Sequence, residues 1–352
     1  MVKHHLSFGK INPNMLEEIV FSCLGSHDPR VIVGPKIGED AAVIDFKDRV
    51  LVVHSDPITG AVENIGWLAV NVCANDIATR GVRPLWILTV ILLPRDFDFV
   101  QLRKITNQIN EATRRLHIAV IGGHSEVTSS ISRPVIIATA IGEARKGKFV
   151  TSSGAQIGDS LIVTKSAAIE GTAILSTEMK KLLETKVDKR LIFAGQKFIK
   201  MTSVVEDALT AVKVGGVHAM HDATEGGVAS GLQEIAWASN TGIMAYEEKI
   251  PIYKETREIC KALRIDPLKT ISSGTLIISA HRERAVKIVS ALQKNNIRAS
   301  IIGEVVEKAK GCYIMRRDGT RLNLSRPVKE ELWKILEKHA TACTQNIDNE
   351  NG

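Results

Sequence analysis

Acidic residues and glycines recur together through the first 126 positions of this 352-residue chain. Glu39 and Asp40 stand in Gly-Glu-Asp-Ala-Ala, Asp56 in His-Ser-Asp-Pro-Ile-Thr-Gly, and Asp76 in Ala-Asn-Asp-Ile-Ala. Glu126 follows His124 in Gly-Gly-His-Ser-Glu. Each of the five lies beside an apolar run that reads as a strand or a helix. A hard cation such as Mg²⁺ takes oxygen ligands, and when it also holds phosphate it commonly takes only one or two carboxylates. Carboxylates delivered from separate turns to one edge of a sheet are therefore the chemistry of a metal–nucleotide site. Glu39, Asp40, Asp56 and Asp76 are the candidate metal ligands. His124 and Glu126 are the candidate catalytic pair, orienting metal or substrate.

Two further stretches suit phosphate. In Gly34-Pro-Lys36-Ile-Gly38, Lys36 offers a point charge and Gly38 permits close backbone approach; a plain surface turn is the alternative. In Asp222-Ala-Thr224-Glu-Gly226-Gly227 the chain enters a helix whose N-terminus attracts anions. Asp222, Thr224, Gly226 and Gly227 are thus candidate cofactor contacts, with simple N-capping by Asp222 or Thr224 as the alternative. Asp76 sits in a mostly apolar helix, where an ionised side chain is costly unless paired or metal-bound; a capping or solvated Asp is its alternative. Other signatures fail. Gly142 to Lys148 has Walker A spacing, but Phe149 stands where Ser or Thr must bind Mg²⁺. Gly123-His-Ser125-Glu-Val127 lacks the last glycine of a nucleophile elbow. His218-Ala-Met-His221 is a weak zinc pair.

The elements that must position these residues follow from the apolar pattern. Residues 13–24 read as a helix opened by Pro13, 66–79 as a helix nearly apolar all round, and 97–116 as an amphipathic helix. Strands are expected at 41–46, 50–54, 85–92, 118–121 and 135–142. The polar stretch 145–158 marks a boundary, after which strands at 160–164, 217–220, 275–280, 299–306 and 312–315 mix with helices, the last at 327–338. The expected organisation is an N-terminal helical extension (1–33), a first α/β unit (34–150), a second (151–325), and a C-terminal helix with a polar tail (326–352). Hydrophobic content of 44% with only 4% aromatics suits an α/β (α+β) protein with Val-, Ile- and Leu-rich strands. The net charge of +7 comes from dispersed Lys and Arg without interleaved aromatics, which argues against nucleic-acid binding. Five scattered cysteines without a C-x-x-C argue against a disulfide framework or structural zinc. The polar start and the absence of a long apolar run point to a cytoplasmic protein that does not enter a membrane.

Taken together the segments resemble the aminoimidazole ribonucleotide (AIR) synthase superfamily, the PurM-like fold shared by thiamine-monophosphate kinase, selenophosphate synthetase and the hydrogenase-maturation synthetase HypE. Gly38-Glu-Asp-Ala-Ala-Val43 resembles its Gly-Asp-Asp-Ala-Ala, and residues 68–84 its Asn-Asp helix. Gly122-Gly-His-Ser-Glu126 is similar to its Gly-Gly-x-Thr/Ser turn, and Gly158-Asp-Ser-Leu161 to the opening of its second domain. Residues 221–236 are most similar to the HypE segment Arg-Asp-Pro-Thr-Arg-Gly-Gly. The resemblance implies two α/β domains, a homodimer built through the N-terminal sheets, and ATP with Mg²⁺ in a cleft reached by the acidic turns. It further implies activation of a substrate oxygen by phosphoryl transfer, a small-molecule or carbamoyl-type substrate, and a maturation-factor partner. A kinase resembling thiamine-monophosphate kinase, HypE activity itself with Cys343 as the reactive thiol, and a non-catalytic nucleotide-binding partner protein are the alternatives. The chain departs from HypE at three reactive positions. It ends without Pro-Arg-Ile-Cys, with Cys343 nine residues from the end; Glu126 stands where HypE has Lys; Ser272-Ser273-Gly274 stands where HypE has Asn-Glu-Gly.

Overall fold

The computed structural model describes residues 11, 13–59, 63–333 and 335–336. Two mixed sheets carry the architecture. The first holds β1 (Val31–Val33), β2 (Ala42–Phe46), β3 (Arg49–Ile58), β4 (Pro84–Leu93), β5 (Ala119–Val127) and β6 (Val135–Arg145), in the order β1-β2-β3-β6-β4-β5. All its pairings are antiparallel except β4 with β5, which run parallel. The second holds β7 (Ser160–Thr164), β8 (Val217–Asp222), β9 (Gly242–Tyr246), β10 (Leu276–Ala280), β11 (Ala299–Val306), β12 (Cys312–Met315) and β13 (Arg321–Asn323), in the order β13-β12-β9-β11-β7-β10-β8.

In the first sheet, Val50 and Val52 of β3 and Ile136, Ala138 and Ala140 of β6 alternate onto the face covered by the helices Ile65–Thr79 and Phe99–Leu116. The second helix starts in a capping box, Asp98 with Gln101, and ends at His117 in the left-handed region. The first is buried at every residue. Its polar side chains are tolerated because they find partners: Asn71 Nδ2 donates to the Trp67 carbonyl and Thr79 Oγ1 to the Asp76 carbonyl within the helix, while Asn75 and Trp67 bond across the domain boundary. Asn75 Nδ2 donates to the Thr202 carbonyl (2.9 Å) and its Oδ1 accepts from the Val204 N–H (2.7 Å), while Trp67 Nε1 donates to the Ile199 carbonyl (2.8 Å). In the second sheet Leu161, Val163 and Ile277 face the helix Gly227–Ser239. Ile162, Ile278 and Ala280 face the helices Val205–Val214 and Arg282–Lys294.

Several expectations shift. The helix expected over 13–24 is a short turn, Pro13–Met15, followed by a π-type turn at Leu16–Val20 with no buried residue, so nothing drives its extension. The strand β9 and the helix Lys254–Leu263 carry no expectation from sequence. The helix buries only Thr256, Ile259, Cys260 and Leu263, a stripe hidden among five charged residues. Among the described residues no helix is long and apolar enough to cross a membrane.

Candidate functional site

The buried helix Ile65–Thr79 is the element on which the acidic residues meet. Asp76 lies on it, and Arg80 follows one turn later, about 6 Å along the axis. Around these two positions the ligand-capable side chains gather as two triads. His54, Asp56 and Asp76 bring ligand atoms within 4.8 Å of one another, and so do Asp40, His221 and Asp222.

The first triad forms because β3 outruns its neighbour. Its pairing with β2 stops at Val53–Ala42, whereas pairing with β6 continues to Ile58. Pro57, which has no N–H to give, is tolerated on the open side. Asp56 is therefore a strand residue, not the turn residue its flanking Pro and Gly suggest. With His54 it shares the alternation that faces the helix, where His54 Nε2 lies 3.3 Å from Asp76 Oδ2. Asp76 is 7% exposed, which excludes the solvated alternative. Cys73, one turn earlier on the helix, donates to the Ala138 carbonyl, and burial, with Asp76 nearby, pushes its thiol far above the ordinary value.

The second triad is an interdomain staple. Arg80 is fully buried. It reaches Glu39 Oε2 (2.5 Å), Asp40 Oδ2 (2.8 Å) and Ser152 Oγ (2.6 Å), and the Ser152 N–H also donates to Glu39 (3.2 Å). Asp40 contacts His221 Nδ1, whose Nε2 lies 2.5 Å from Glu234. Burial alone would lower the His221 pKa, but Asp40 and Glu234 on its two sides outweigh that and raise it well above the ordinary value. Burial likewise works against the Asp40 carboxylate, and His221 and Arg80 overcome it, holding its pKa low. A protonated imidazole cannot ligate a metal. Glu39 and Asp40, expected from sequence as metal ligands, are thus engaged by Arg80 and His221, and the Asp56–Asp76 pair has the better donor set for Mg²⁺. Gly38 serves the same staple. Its φ is +81°, and a Cβ there would lie 2.9 Å from the Glu234 carbonyl oxygen, so the close approach it permits is to the helix Gly227–Ser239.

The other expected residues are placed differently. Lys36 is exposed, and its carbonyl accepts from the Glu39 N–H. His124 and Glu126 lie on the edge strand β5 rather than in a turn, exposed and 3.1 Å from each other. The strand continues through Gly122-Gly123 because Gly123 presses on Thr89 of β4, where a Cβ would lie 1.9 Å from the carbonyl oxygen. In register His124 pairs with Val90, and Val90 with Ile137, on the sheet face opposite Asp56. Three strand spacings, about 14 Å, separate β5 from β3. Within one protomer His124 and Glu126 therefore do not join the Asp56–Asp76 pair.

At the second domain's edge, Asp222 ends β8 and is 1% exposed. Neither it nor Thr224 caps the following helix; Gly226 is the N-cap, and the Thr224 carbonyl accepts from the Gly227 N–H (3.0 Å). The Gly226 N–H donates instead to Glu330 Oε2 (2.6 Å), a carboxylate supplied by the C-terminal segment at the place expected for phosphate. Burial raises the Glu330 carboxyl. Close by, burial pushes Glu170 up to about 7 despite its Ser273 hydrogen bond, with Glu330 and Asp222 adding to the rise. The residues that sequence reasoning missed are His54, Arg80, Ser152, Glu170, Glu234 and Glu330. His54 alone carried a signal: it stands two residues before Asp56, the strand period. The weak His218–His221 pair is split. His218 Nδ1 lies 2.9 Å from Asp159 while His221 pairs with Asp40, as a spacing of three on a strand dictates. Burial pushes the Cys260 and Cys312 thiols up to about 12, leaving both inert, and Cys343 lies outside the described residues.

Comparison with known proteins gives this geometry a context. The AIR synthase related protein N-terminal domain matches residues 38–144 and the corresponding C-terminal domain matches residues 156–314. A putative hydrogenase expression/formation protein of Methanocaldococcus jannaschii is 29% identical over 329 residues, covering 92% of this chain and 96% of that protein. The carbamoyl dehydratase HypE of Rhizobium leguminosarum bv. viciae is 31% identical over 249 residues, covering 69% and 68%. Among solved structures, the crystal structure of the HypE–HypF complex matches with a TM-score of 0.73 at 25% identity, over 89% of this chain and 99% of that one.

Proposed function

Because the chain belongs to the AIR synthase-related family, we propose that it is an ATP- and Mg²⁺-dependent enzyme that phosphorylates an oxygen of its substrate. The single observation that carries this reading is the convergence of Asp56 and Asp76 within 4.8 Å on one face of the buried helix. One or two carboxylates are what a phosphate-bound Mg²⁺ commonly takes from a protein, and this pair supplies two. Bound there, Mg-ATP would supply a transferable phosphoryl group with its charge neutralised. The chain's own residues do the positioning. His54 orients the Asp76 carboxylate. Arg80 and His221 fix Asp40 and hold the second domain against the first. Glu170 lies near Asp222 and Glu330 in the second domain. His124 and Glu126 act from the partner subunit of a homodimer if they act in the site at all, since the sheet separates them from Asp56 in their own protomer. The exposed edge of β5 and the half-buried apolar residues Leu51, Val53, Val90 and Ile137 on the open sheet face supply that dimer surface.

By similarity to proteins named carbamoyl dehydratase, the substrate is of the carbamoyl type. By similarity to HypE crystallised with HypF, a maturation factor is the partner. Asp56→Asn and Asp76→Asn are expected to abolish Mg²⁺-dependent binding of a non-hydrolysable ATP analogue in calorimetry; unchanged affinity in both variants would overturn the metal assignment. Turnover with carbamoyl-type acceptors supports the proposed substrate. Turnover with thiamine monophosphate instead assigns a kinase, and binding without turnover of any acceptor assigns a nucleotide-binding partner protein.

A further inference from the structure

A cleft of about 370 Å³ in the second domain is lined by Lys249, Arg257, Arg298 and Ser300, with Glu248 as its one acid. None of its three cations forms an ion pair among the described residues. Each is instead held by uncharged groups. Arg257 Nε donates to the Ile252 carbonyl (3.3 Å), the Arg298 guanidinium lies 5.6 Å from the Tyr253 ring centre, and Lys249 Nζ lies 4.6 Å from that of Tyr246. Like charges gathered around a concavity repel one another, and a bound anion relieves that repulsion while meeting a guanidinium fork in its preferred geometry. The volume falls in the range of small-molecule sites.

The cleft is separate from the candidate metal site. In the sheet order β11-β7-β10-β8, the strand that follows Arg298 stands three spacings, about 14 Å, from the one ending at Asp222. Between them runs the loop from Lys165 to Ala168, whose two end residues both adopt positive φ, +54° and +55°. The Lys165 N–H donates to the Arg298 carbonyl (2.6 Å) and the Ala167 N–H to the Pro251 carbonyl (2.9 Å), so the loop forms the wall behind the cleft. On its other side the Ile169 N–H donates to Ser272 Oγ (3.2 Å).

We propose that this cleft is a second anion site, which binds a small phosphorylated molecule through Lys249, Arg257, Arg298 and Ser300, independently of the Asp56–Asp76 pair. Inorganic pyrophosphate is the probe, titrated calorimetrically into the full chain without added metal. Arg257→Ala and Arg298→Ala are each expected to weaken its binding about tenfold or more, as loss of a charge-assisted hydrogen bond does. Ser300→Glu should weaken it similarly and Glu248→Gln should tighten it, while Asp76→Asn leaves it unchanged. No heat with the wild-type chain would overturn the proposal. So would binding that survives Arg257→Ala, Arg298→Ala and Ser300→Glu alike, or binding that responds to Asp76→Asn instead. Since no metal or nucleotide enters the titration, the result stands apart from the outcome for the metal pair.

Discussion

At the scale of single residues, the site is organised by two cations that sequence patterns do not reveal. Arg80 and His221 are each enclosed by acids, and removing one partner of a buried pair leaves an uncompensated charge at a cost of about 3–5 kcal/mol. His221 also gives the protein a pH signature. Its folded-state pKa is raised, so its contribution is full below the ordinary imidazole value of 6.5 and is lost as pH climbs through the folded-state value. Asp40 has the opposite sign. Its pKa is lowered, so its contribution is present above 3.8 and is lost as pH falls toward the folded-state value. Stability should therefore hold from mildly acidic to neutral pH and decline on the alkaline side, a decline that His221→Gln should flatten. Melting temperatures across the pH range test this; an alkaline slope unchanged in His221→Gln would remove the imidazolium from the account. Asp40, Asp56 and Asp76 were legible as candidates because each carboxylate stands beside an apolar run. Their partners were not, because Arg80 is 40 positions from Asp40 and His221 is 181 positions away.

At the scale of elements, sequence periodicity located most strands and helices but misjudged what ends them. Pro57 and Gly122-Gly123 read as turns, yet β3 and β5 run through both, because an unpaired strand edge tolerates a missing N–H and a bare glycine fits against Thr89. The exposed edge of β5 has a direct test. Ile121 is 53% exposed there, and Ile121→Lys should convert a dimer into a monomer in size-exclusion chromatography with light scattering. A monomeric wild type, or a dimeric variant, would place the interface elsewhere. The C-terminal segment offers a second test. Leu332 is fully buried, and the Arg326 carbonyl accepts from Gln233 (2.7 Å), so the segment delivers Glu330 to the Gly226 N–H. A carboxylate at a helix N-terminus contributes about 0.3–1 kcal/mol, which an incoming phosphate at the same place must displace. Glu330→Gln should accordingly bind a non-hydrolysable ATP analogue with Mg²⁺ about two- to fivefold more tightly. Equal or weaker affinity would mean that phosphate does not use this helix end.

At the scale of the whole molecule, the polar stretch 145–158 marks a change of sheet rather than a break in packing. One hydrophobic cluster runs from Val50 and Ile77 in the first domain to Ala208, Met220 and Ile278 in the second. Trp67 and Asn75 bond across the boundary, and the Arg80–Asp40–His221 contacts seal its other end. Independent domains meet through modest polar interfaces, whereas this one shares a core. Composition shifts cannot reveal that, because the helix that joins the domains looks, in sequence, like any buried helix of the first. The expected consequence is cooperative unfolding. Scanning calorimetry of the full chain should give one transition with a van't Hoff enthalpy, per unfolding unit, equal to the calorimetric one. Asn75→Ala leaves the Val204 N–H and the Thr202 carbonyl without their partner, two buried groups at about 1–3 kcal/mol each. It should lower the melting temperature of that single transition rather than split it. Two resolved transitions in the wild type, or a variant in which only the second domain melts early, would show that the sheets unfold separately and that the shared cluster does not couple them.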